Sequence, residues 1–465
     1  MPKPLSENKM ALYNILSTVI ISSINFFSIP IFTRMLSTNG YGIVTVYTAW
    51  VQICTVFVGL KADGSIGTAR ANLRDEEQDG YQLSILVLGA FSFFIILSLA
   101  FLFRDQICRL LAMDFDLVLA MLLQSFGAFV VSLFSMRFIF NKQAHKNLLL
   151  SVGVSIATTL LSIALIFFVF TGSDAYEGRV WGLALPNLFI GLTLFFALLW
   201  SAWKKFKISY WQFCLALSFP LIFHGLSQLV LAQTGRIALQ RFFDDSMAGI
   251  YGVAVTVTSL LNSVYTALNN AFVPFMYDDL AGKTPWETKQ EHFKNYFVLF
   301  TLGTMAFLLV SPEAIEILST PDYWSGIAVL PPLTVGQYCV FLYSFPVNYE
   351  FFKMKTASVG AGTVMAALAN VALTIWLVPA LGMMGAALAT MFAYLLLFVF
   401  HFCTARYRLG DRHYSARWMV AGLGIVVLTG ILVYPLEMLW PVRWVMGLAL
   451  LALASLRVLR KRRVF

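Results

Sequence analysis

Three arginines lie beside long apolar segments, where an ionised side chain is expensive unless another group compensates its charge. Arg34 lies in "IPIFTRMLSTNGYG", after a run of more than twenty mostly apolar residues, and Arg236 and Arg241 follow a later apolar run. Guanidinium groups bind phosphate through paired hydrogen bonds. The placement therefore predicts an anion-binding role. The alternative is a side chain that reaches the membrane interface or pairs with Asp244 or Asp245.

Other titratable residues lie at or inside predicted helices. Lys61 and Asp63 close the second apolar segment, where they predict substrate or ion binding, an internal ion pair, or simple helix caps. Arg137 and Glu350 lie at matching ends of the fourth and tenth helices and predict an inner mouth for an anion, or membrane anchoring. His224, in "SFPLIFHGLSQ", is the histidine we expect to be buried, either as a proton relay or as a packed, hydrogen-bonded residue.

The composition requires a membrane around these residues. Of the 465 residues, 59% are hydrophobic and only 12% are charged, whereas soluble domains carry roughly 25% charged residues. Apolar stretches of about 20 residues, enough for a helix to cross a bilayer core, recur along the chain. The first of them is too long for a removable signal peptide and is interpreted as the first span. The sequence predicts an all-α polytopic membrane protein rather than a β-barrel.

Hydropathy predicts about fourteen membrane-spanning helices separated by short polar or Gly/Pro-containing connections. Their approximate ranges are 10–33, 41–61, 82–103, 115–137, 148–170, 180–202, 212–234, 249–273, 295–311, 327–349, 357–378, 382–403, 418–434 and 441–457.

The distribution of Lys and Arg predicts the orientation of these helices. With both termini in the cytoplasm, 25 of the 32 basic residues lie on the cytoplasmic side and 7 on the outer side, as the positive-inside rule requires. The net charge of +9 is therefore a topology signal and not a sign of nucleic-acid binding, and the C-terminal "RVLRKRR" is expected to anchor in lipid headgroups. Arg34, Arg236 and Arg241 lie on the outer side, where basic residues are sparse.

The chain contains an internal repeat offset by slightly more than 200 residues. "NGYGIVTVYT" matches "GIYGVAVTVT", so that Tyr41 and Gly42 fall on Tyr251 and Gly252. A repeat of six helices returns the chain to the same side, which predicts two parallel bundles around a central cavity. We expect bundles at 1–205 and 206–405, followed at 406–465 by two more helices and a basic tail. Arg34 and Arg236 would then occupy equivalent places and could clamp one anion.

Two motifs resemble a known family. "IPIFTRMLSTNGYG" resembles the "P…(T/S)R.L….(Y/F)G" signature of the Wzx-type oligosaccharide flippases, the polysaccharide biosynthesis proteins of the multidrug/oligosaccharidyl-lipid/polysaccharide exporter superfamily. "LVPALGMMGAALATMFAY" is similar to a conserved segment of the same superfamily. The resemblance covers nearly all of the first 405 residues. Fourteen helices exceed the twelve common in that branch and equal the number in peptidoglycan-precursor flippases.

The resemblance implies a function. Members move undecaprenyl-diphosphate-linked oligosaccharide from the cytoplasmic to the periplasmic leaflet of the bacterial inner membrane by alternating access, for O-antigen, capsule or exopolysaccharide synthesis. It implies no cofactor, coupling to a proton or sodium gradient or to the membrane potential, and polysaccharide polymerase and ligase as pathway partners. Asp63, His224 and Glu350 are the candidate ion-relay residues.

Two other functions compete with this interpretation. A cation-coupled multidrug exporter of the same superfamily is expected to use a carboxylate for cationic compounds, whereas arginine predominates here. A membrane-embedded glycan polymerase or ligase requires a large outer loop with catalytic groups, and the sequence has no such loop, so an enzyme is not expected. A metal site is not expected either, because the five cysteines are scattered, with no CxxC spacing.

Overall fold

The structure is a computed structural model that describes residues 7–436 and 438–461. Residues 1–6, residue 437 and residues 462–465, which include the last two arginines of the predicted anchor "RVLRKRR", lie outside the described residues. Within the described ranges the chain forms fifteen α-helices and no β-strand. The helices are α1 Glu7–Met35, α2 Thr38–Gly59, α3 Ile66–Asn72, α4 Gln78–Leu102, α5 Arg104–Leu111, α6 Phe115–Phe140, α7 Ala144–Phe168, α8 Ala175–Ala202, α9 Ser209–Phe242, α10 Asp245–Leu280, α11 Trp286–Leu318, α12 Leu330–Phe352, α13 Thr356–Cys403, α14 Ala416–Val433 and α15 Trp440–Lys461.

The prediction of a polytopic helical protein is confirmed. Among the described residues, twelve segments are long and apolar enough to cross a membrane. One of them contains α13, which is two helices joined at a kink, and α15 is a further long helix, so the fourteen predicted ranges all correspond to helices. The short helices α3 and α5 are the additions that hydropathy does not predict.

The kink in α13 occurs at Gly382, whose backbone is non-helical with φ 56° and ψ −132°. An L-residue with a Cβ rarely adopts this conformation, so glycine is required here. Pro379, three residues earlier, cannot donate to the helical ladder and weakens the same turn. The two arms of α13, 356–381 and 383–403, correspond to the predicted eleventh and twelfth helices.

The chain divides into two compact units, Met1–Leu229 and Val230–Phe465. In the first unit α6 packs against α2, α7 and α8, and α1 packs against α7. In the second unit α12 packs against α10, α13 and α14, and α11 packs against α15. Since α9 contributes residues to both units, its first half is described with the first and its second half with the second. The predicted bundle boundaries at 205 and 405 stay predictions.

Corresponding helices in the two units begin in the same way. Ser37 caps α2 by accepting a hydrogen bond from the Gly40 amide at 3.1 Å. Asp244 caps α10 by accepting one from the Met247 amide at 2.7 Å. A side-chain oxygen at this position satisfies an amide that the helix itself leaves unpaired. The repeated "YG" pair therefore lies near the beginning of two similarly capped helices, at residues 41–42 of α2 and 251–252 of α10.

Close glycine contacts hold antiparallel helices together in each unit. A Cβ on Gly182 of α8 would lie 2.3 Å from the Ser162 hydroxyl of α7. A Cβ on Gly385, in the second arm of α13, would lie 2.3 Å from the Leu377 carbonyl oxygen in the first arm. In both places only a residue without a side chain permits the backbones to approach so closely.

The second unit also has an aromatic core. Phe300 stacks on Phe341 with ring centroids 4.3 Å apart, and Phe272 stacks on Tyr296 at the same distance. These rings belong to α10, α11 and α12, and they fix three helices against one another through a large buried apolar area. The rigid scaffold carries the charged residues at the helix ends.

Candidate functional site

Lys61 lies immediately after α2, on a backbone that turns sharply away from the helix. Leu60 and Lys61 both adopt the left-handed conformation, with φ 48° and 51°. This turn directs the lysine side chain to α9, where its Cε lies 2.8 Å from the position that a Cβ on Gly225 would occupy. His224, the preceding residue of α9, is within electrostatic range of the Lys61 ammonium. The structure thus brings together two residues that the sequence separates by more than 160 positions.

Asp63 lies two residues beyond Lys61 and accepts a hydrogen bond from the Ser132 hydroxyl of α6 at 2.8 Å. Ser218 of α9 donates to the Lys61 carbonyl at 3.3 Å, which fixes the turn against α9. The predicted Lys61–Asp63 ion pair is absent among the described residues, and Lys61 makes no other ion pair there. Lys61 is a half-buried cation with an imidazole beside it and no carboxylate bound to it.

Arg137, in the last turn of α6, is largely neutralised by α4. Its guanidinium donates to the Asp79 carboxylate at 2.8 Å and to the Gln82 side-chain oxygen at 2.7 Å. The side chains of Arg137 and Asp79 are 21% and 47% exposed. Arg137 therefore acts in this structure as a partly exposed bridge between two helices, and its predicted substrate-binding role is untested.

Arg34 is exposed at the end of α1 and donates to the Pro30 carbonyl of its own helix at 2.8 Å. Pro30 lies inside α1, which continues to Met35. Arg34 and Lys61 flank opposite ends of α2, whose 22 residues span roughly 33 Å. The first unit thus has one cation beyond each end of a membrane-spanning helix.

Arg236 is half-buried in α9 and donates to the Gln233 side chain one turn earlier at 2.9 Å. Arg241 is exposed in the last turn of the same helix. Of the two carboxylates considered as their partners, Asp244 caps α10 and Asp245 accepts from Gln240 at 2.8 Å. The pairing of Arg34 with Arg236 in one clamp stays a prediction.

Glu350, at the end of α12, is completely buried and belongs to a polar cluster in the second unit. One of its oxygens lies 2.7 Å from Nδ1 of His401, which is also completely buried near the end of α13. The Ser358 hydroxyl, in the first turn of α13, donates to the other oxygen. Glu350 is thus sealed from solvent, and the expectation that it lines an open inner mouth is wrong for this conformation.

The prediction that His224 is the buried histidine is wrong. His224 is half-buried, whereas His401 has no exposed surface. Hydropathy favours His224 because apolar residues surround it in the sequence, but burial depends on what the neighbouring helices place around a side chain. The predicted topology places the ends of α12 and α13 on the same side of the membrane. This was the sequence feature from which a contact between Glu350 and His401 could have been predicted.

Arg179 and Arg443 are two more of the seven basic residues on the predicted outer side, and both have structural partners that are distant in sequence. Arg179 of α8 donates to the Ser162 hydroxyl at 3.0 Å, and its guanidinium carbon lies 3.8 Å from the centre of the Phe32 ring. Arg443 of α15 is 1% exposed and pairs with Glu313 of α11. Their cation–π and ion-pair contacts explain how these charges are accommodated.

A metal cluster is not evident in the described part of the chain, where no three His, Cys, Asp or Glu side chains are grouped to bind an ion.

The long apolar helices, their close glycine contacts and the buried charges define a multi-pass membrane protein. The family model described as polysaccharide biosynthesis protein matches residues 8–278, which is more than half of the chain. The protein belongs to this family, and the resemblance inferred from its motifs is confirmed.

Two curated relatives come from Haemophilus influenzae. One is named an uncharacterized membrane protein and is 24% identical, with 74% of this chain and 83% of the relative covered. The other, named Lsg locus putative protein 1, is 22% identical, with 75% of this chain and 85% of the relative covered.

Solved structures share the fold at low sequence identity. The lipid II flippase MurJ in an inward closed conformation matches with a TM-score of 0.66 and 13% identity, over 98% of this chain and 99% of MurJ. The MATE multidrug transporter DinF-BH matches with a TM-score of 0.58 and 16% identity, over 86% and 95% of the two chains. These matches show that the chain shares the fold of these two proteins.

Proposed function

We propose that the protein flips undecaprenyl-diphosphate-linked oligosaccharide from the cytoplasmic to the periplasmic leaflet of the bacterial inner membrane by alternating access. The product would enter O-antigen, capsule or exopolysaccharide synthesis, where a polymerase and a ligase act on it. Membership of the polysaccharide biosynthesis family and the fold shared with a lipid II flippase support this proposal. The distribution of basic residues supports cytoplasmic termini.

The observation that carries the proposal is Lys61. An ammonium group that is half-buried beside α9 and has no carboxylate partner among the described residues is costly unless an anion or water compensates it. A lipid-linked diphosphate brings about two negative charges on a headgroup that the bilayer holds at this depth. Lys61, with His224 beside it, would receive this headgroup on the predicted cytoplasmic side, while the isoprenoid chain stays in the lipid.

Arg34 and Arg236 extend the path in the proposed mechanism. Arg34 lies about one membrane span from Lys61 along α2, on the predicted periplasmic side. Arg236 is its counterpart in the second repeat, with Arg241 as the alternative in the same last turns of α9. Guanidinium groups there would bind the diphosphate as it leaves Lys61, so that the charge is never without a partner.

The decisive experiment is flipping of a defined, fluorescent undecaprenyl-diphosphate oligosaccharide in proteoliposomes, measured as loss of access to an impermeant reagent. We expect Lys61→Gln to lower the flipping rate about tenfold, the effect of losing one charge-assisted contact. Lys204→Gln is the matched control, because Lys204 is an exposed lysine on the same predicted side. If both variants flip as fast as wild type, Lys61 does not bind the headgroup.

A cation-coupled multidrug exporter is the second candidate, supported by the fold shared with DinF-BH. The flippase is favoured because the Lys61 ammonium has no bound carboxylate among the described residues, whereas the nearby Asp63 carboxylate is bonded to Ser132, and because the family is one of polysaccharide biosynthesis. Accumulation of a cationic dye without glycan movement, in the same proteoliposomes, would assign the protein to the exporters. A glycan polymerase or ligase is the least supported alternative, and formation of a new glycosidic bond by the purified protein would reveal it.

A further inference from the structure

The Glu350–His401 cluster joins three chain segments at one end of the second unit. Glu350 comes from the last turn of α12, Ser358 from the first turn of α13, and His401 from the last turn of the same long helix. Glu350 and His401 are completely buried, with 2.7 Å between the carboxylate oxygen and Nδ1. These contacts therefore connect the end of α12 to both arms of α13.

The second ring nitrogen of His401 has a different environment. Nε2 is buried and has no hydrogen-bond partner among the residues that the structure describes. It faces Gly362 in the first arm of α13, where a Cβ would lie only 2.7 Å away, and the Phe400 ring packs beside it. The surroundings of Nε2 are thus tightly packed and offer no acceptor.

The protonation state of His401 decides whether this packing is tolerated. A neutral ring with its proton on Nδ1 donates to Glu350 and presents only a lone pair at Nε2, which is a modest loss. A protonated ring carries N–H on both nitrogens. The carboxylate of Glu350 then stabilises the positive charge, but the Nε2 proton remains buried without an acceptor, which is costly.

We propose that Glu350 and His401 form a proton-binding switch that holds α12 and both arms of α13 together when His401 is neutral. Proton uptake at Nε2 releases these segments, because the new N–H requires water or an oxygen acceptor that the closed packing excludes. Glu350 supplies the attraction for the proton, and the packing around Gly362 converts proton binding into movement. The switch concerns the conformation of the second unit and does not depend on which substrate is transported.

The other titratable groups around the pair have their own contacts. On α12, Tyr343 lies beside the His401 ring, with centroids 5.6 Å apart. In the turn after α12, the Lys353 ammonium lies over the Tyr349 and Phe352 rings. After α13, Arg406 donates to the Asp411 carbonyl at 2.9 Å. Lys355 and Cys403 are exposed neighbours in the chain. Glu350 is therefore the carboxylate bound to the buried ring.

Hydrogen–deuterium exchange of the purified full-length protein in nanodiscs, without substrate, tests the switch. After correction for the intrinsic pH dependence of amide exchange, we expect peptides covering 350–362 and 396–404 to exchange roughly tenfold faster at pH 5.5 than at pH 8 in wild type. Glu350→Gln and His401→Gln should each reduce this pH response to less than about twofold. Both replacements keep a polar side chain of similar reach, and monodisperse elution verifies that the variants are folded.

His413→Gln is the matched control. His413 also pairs with a carboxylate, Asp411 at 2.8 Å, but the imidazole is partly exposed, and this variant should keep the wild-type response. An equal pH response in wild type, Glu350→Gln and His401→Gln would overturn the proposal, and so would a wild type without a response. Because no glycan is present, these outcomes are separate from failure of the flipping assay.

Discussion

Helices α6 and α12 correspond to each other in the predicted repeat, and each carries a charged residue in its last turn. Arg137 of α6 bonds to Asp79 and Gln82 on α4, with both charged side chains still partly exposed. Glu350 of α12 bonds to His401 and Ser358 with no exposure at all. One repeat therefore leaves its charge accessible to water or an anion, while the other encloses it.

The difference has an energetic meaning. Partly exposed ion pairs contribute little to stability, about 0–1 kcal/mol, because water solvates the charges almost as well. A buried pair gains more from its contact, but loss of one partner leaves an unsatisfied polar group in a medium that cannot solvate it. We expect the end of the first unit to tolerate substitution and the end of the second to resist it.

The largest effect should follow from Glu350→Ala, which leaves the buried His401 ring and the half-buried Ser358 hydroxyl without the carboxylate. We expect a loss of about 3 kcal/mol, seen as a fall of roughly 6 °C or more in the unfolding temperature of the solubilised protein. Intrinsic tryptophan fluorescence can follow this transition. Glu350→Gln, which preserves size and hydrogen bonding, is the control and should lose less. Equal unfolding temperatures for wild type and Glu350→Ala would show that the cluster does not stabilise the second unit.

Both units contain close glycine contacts between helices. Substituting these glycines therefore tests whether the two units differ only in how they accommodate their charged residues. Gly182→Ala and Gly385→Ala should each cost about 1–3 kcal/mol, because the new Cβ would overlap the facing helix. Gly360→Ala is the control in the first arm of α13, since no atom lies within 4 Å of its Cβ position. Unfolding temperature measures all three. A destabilised Gly360→Ala with intact Gly182→Ala and Gly385→Ala would contradict the packing.

The sequence predicts the helices of this protein but not the contacts between their side chains. The fourteen helical segments follow from hydropathy, and the break between the last two predicted repeat helices follows from the Gly and Pro residues at Gly382 and Pro379. Hydropathy describes each helix separately, so it cannot give the rotation of one helix against another. That rotation determines that His401 meets Glu350 and that Lys61 reaches α9 at Gly225.

For the candidate site, the sequence could predict which types of residue are involved but not which individual residues have that role. The positive-inside rule identifies Arg34 and Arg236 as charges that topology does not explain, but it also selects Arg179 and Arg443. In the structure Phe32 is the partner of Arg179 and Glu313 is the partner of Arg443, and both partners are distant in sequence. The sequence thus identifies arginines that could bind an anion, and the structure shows which of them, Arg179 and Arg443, stabilise contacts between helices.

A smaller effect is expected for substitution of Arg34 and Arg236, and it should appear in the flipping rate rather than in stability. Arg34→Gln and Arg236→Gln should each lower flipping about tenfold through loss of a charge-assisted phosphate contact. The double variant should lose less than the product of the two effects if both arginines bind one diphosphate. Arg109→Gln, which changes an exposed arginine on the same predicted side, is the control. Flipping at the wild-type rate in both single variants would remove the arginines from the proposed path.

The smallest effect should come from the Arg137–Asp79 bridge, and it decides whether an exposed charge at the end of α6 binds substrate. Because the two side chains are 21% and 47% exposed, a double-mutant cycle with Arg137→Gln and Asp79→Asn should give a coupling energy below about 1 kcal/mol, reduced further by salt. The cycle is measured on unfolding and, in parallel, on flipping. If Arg137 only bridges α6 and α4, Asp79→Asn and Arg137→Gln should change flipping equally little. If Arg137 receives the diphosphate, Arg137→Gln should slow flipping while Asp79→Asn, which frees the guanidinium, should not. A coupling energy as large as that of a buried pair would instead show that the two repeat ends are alike.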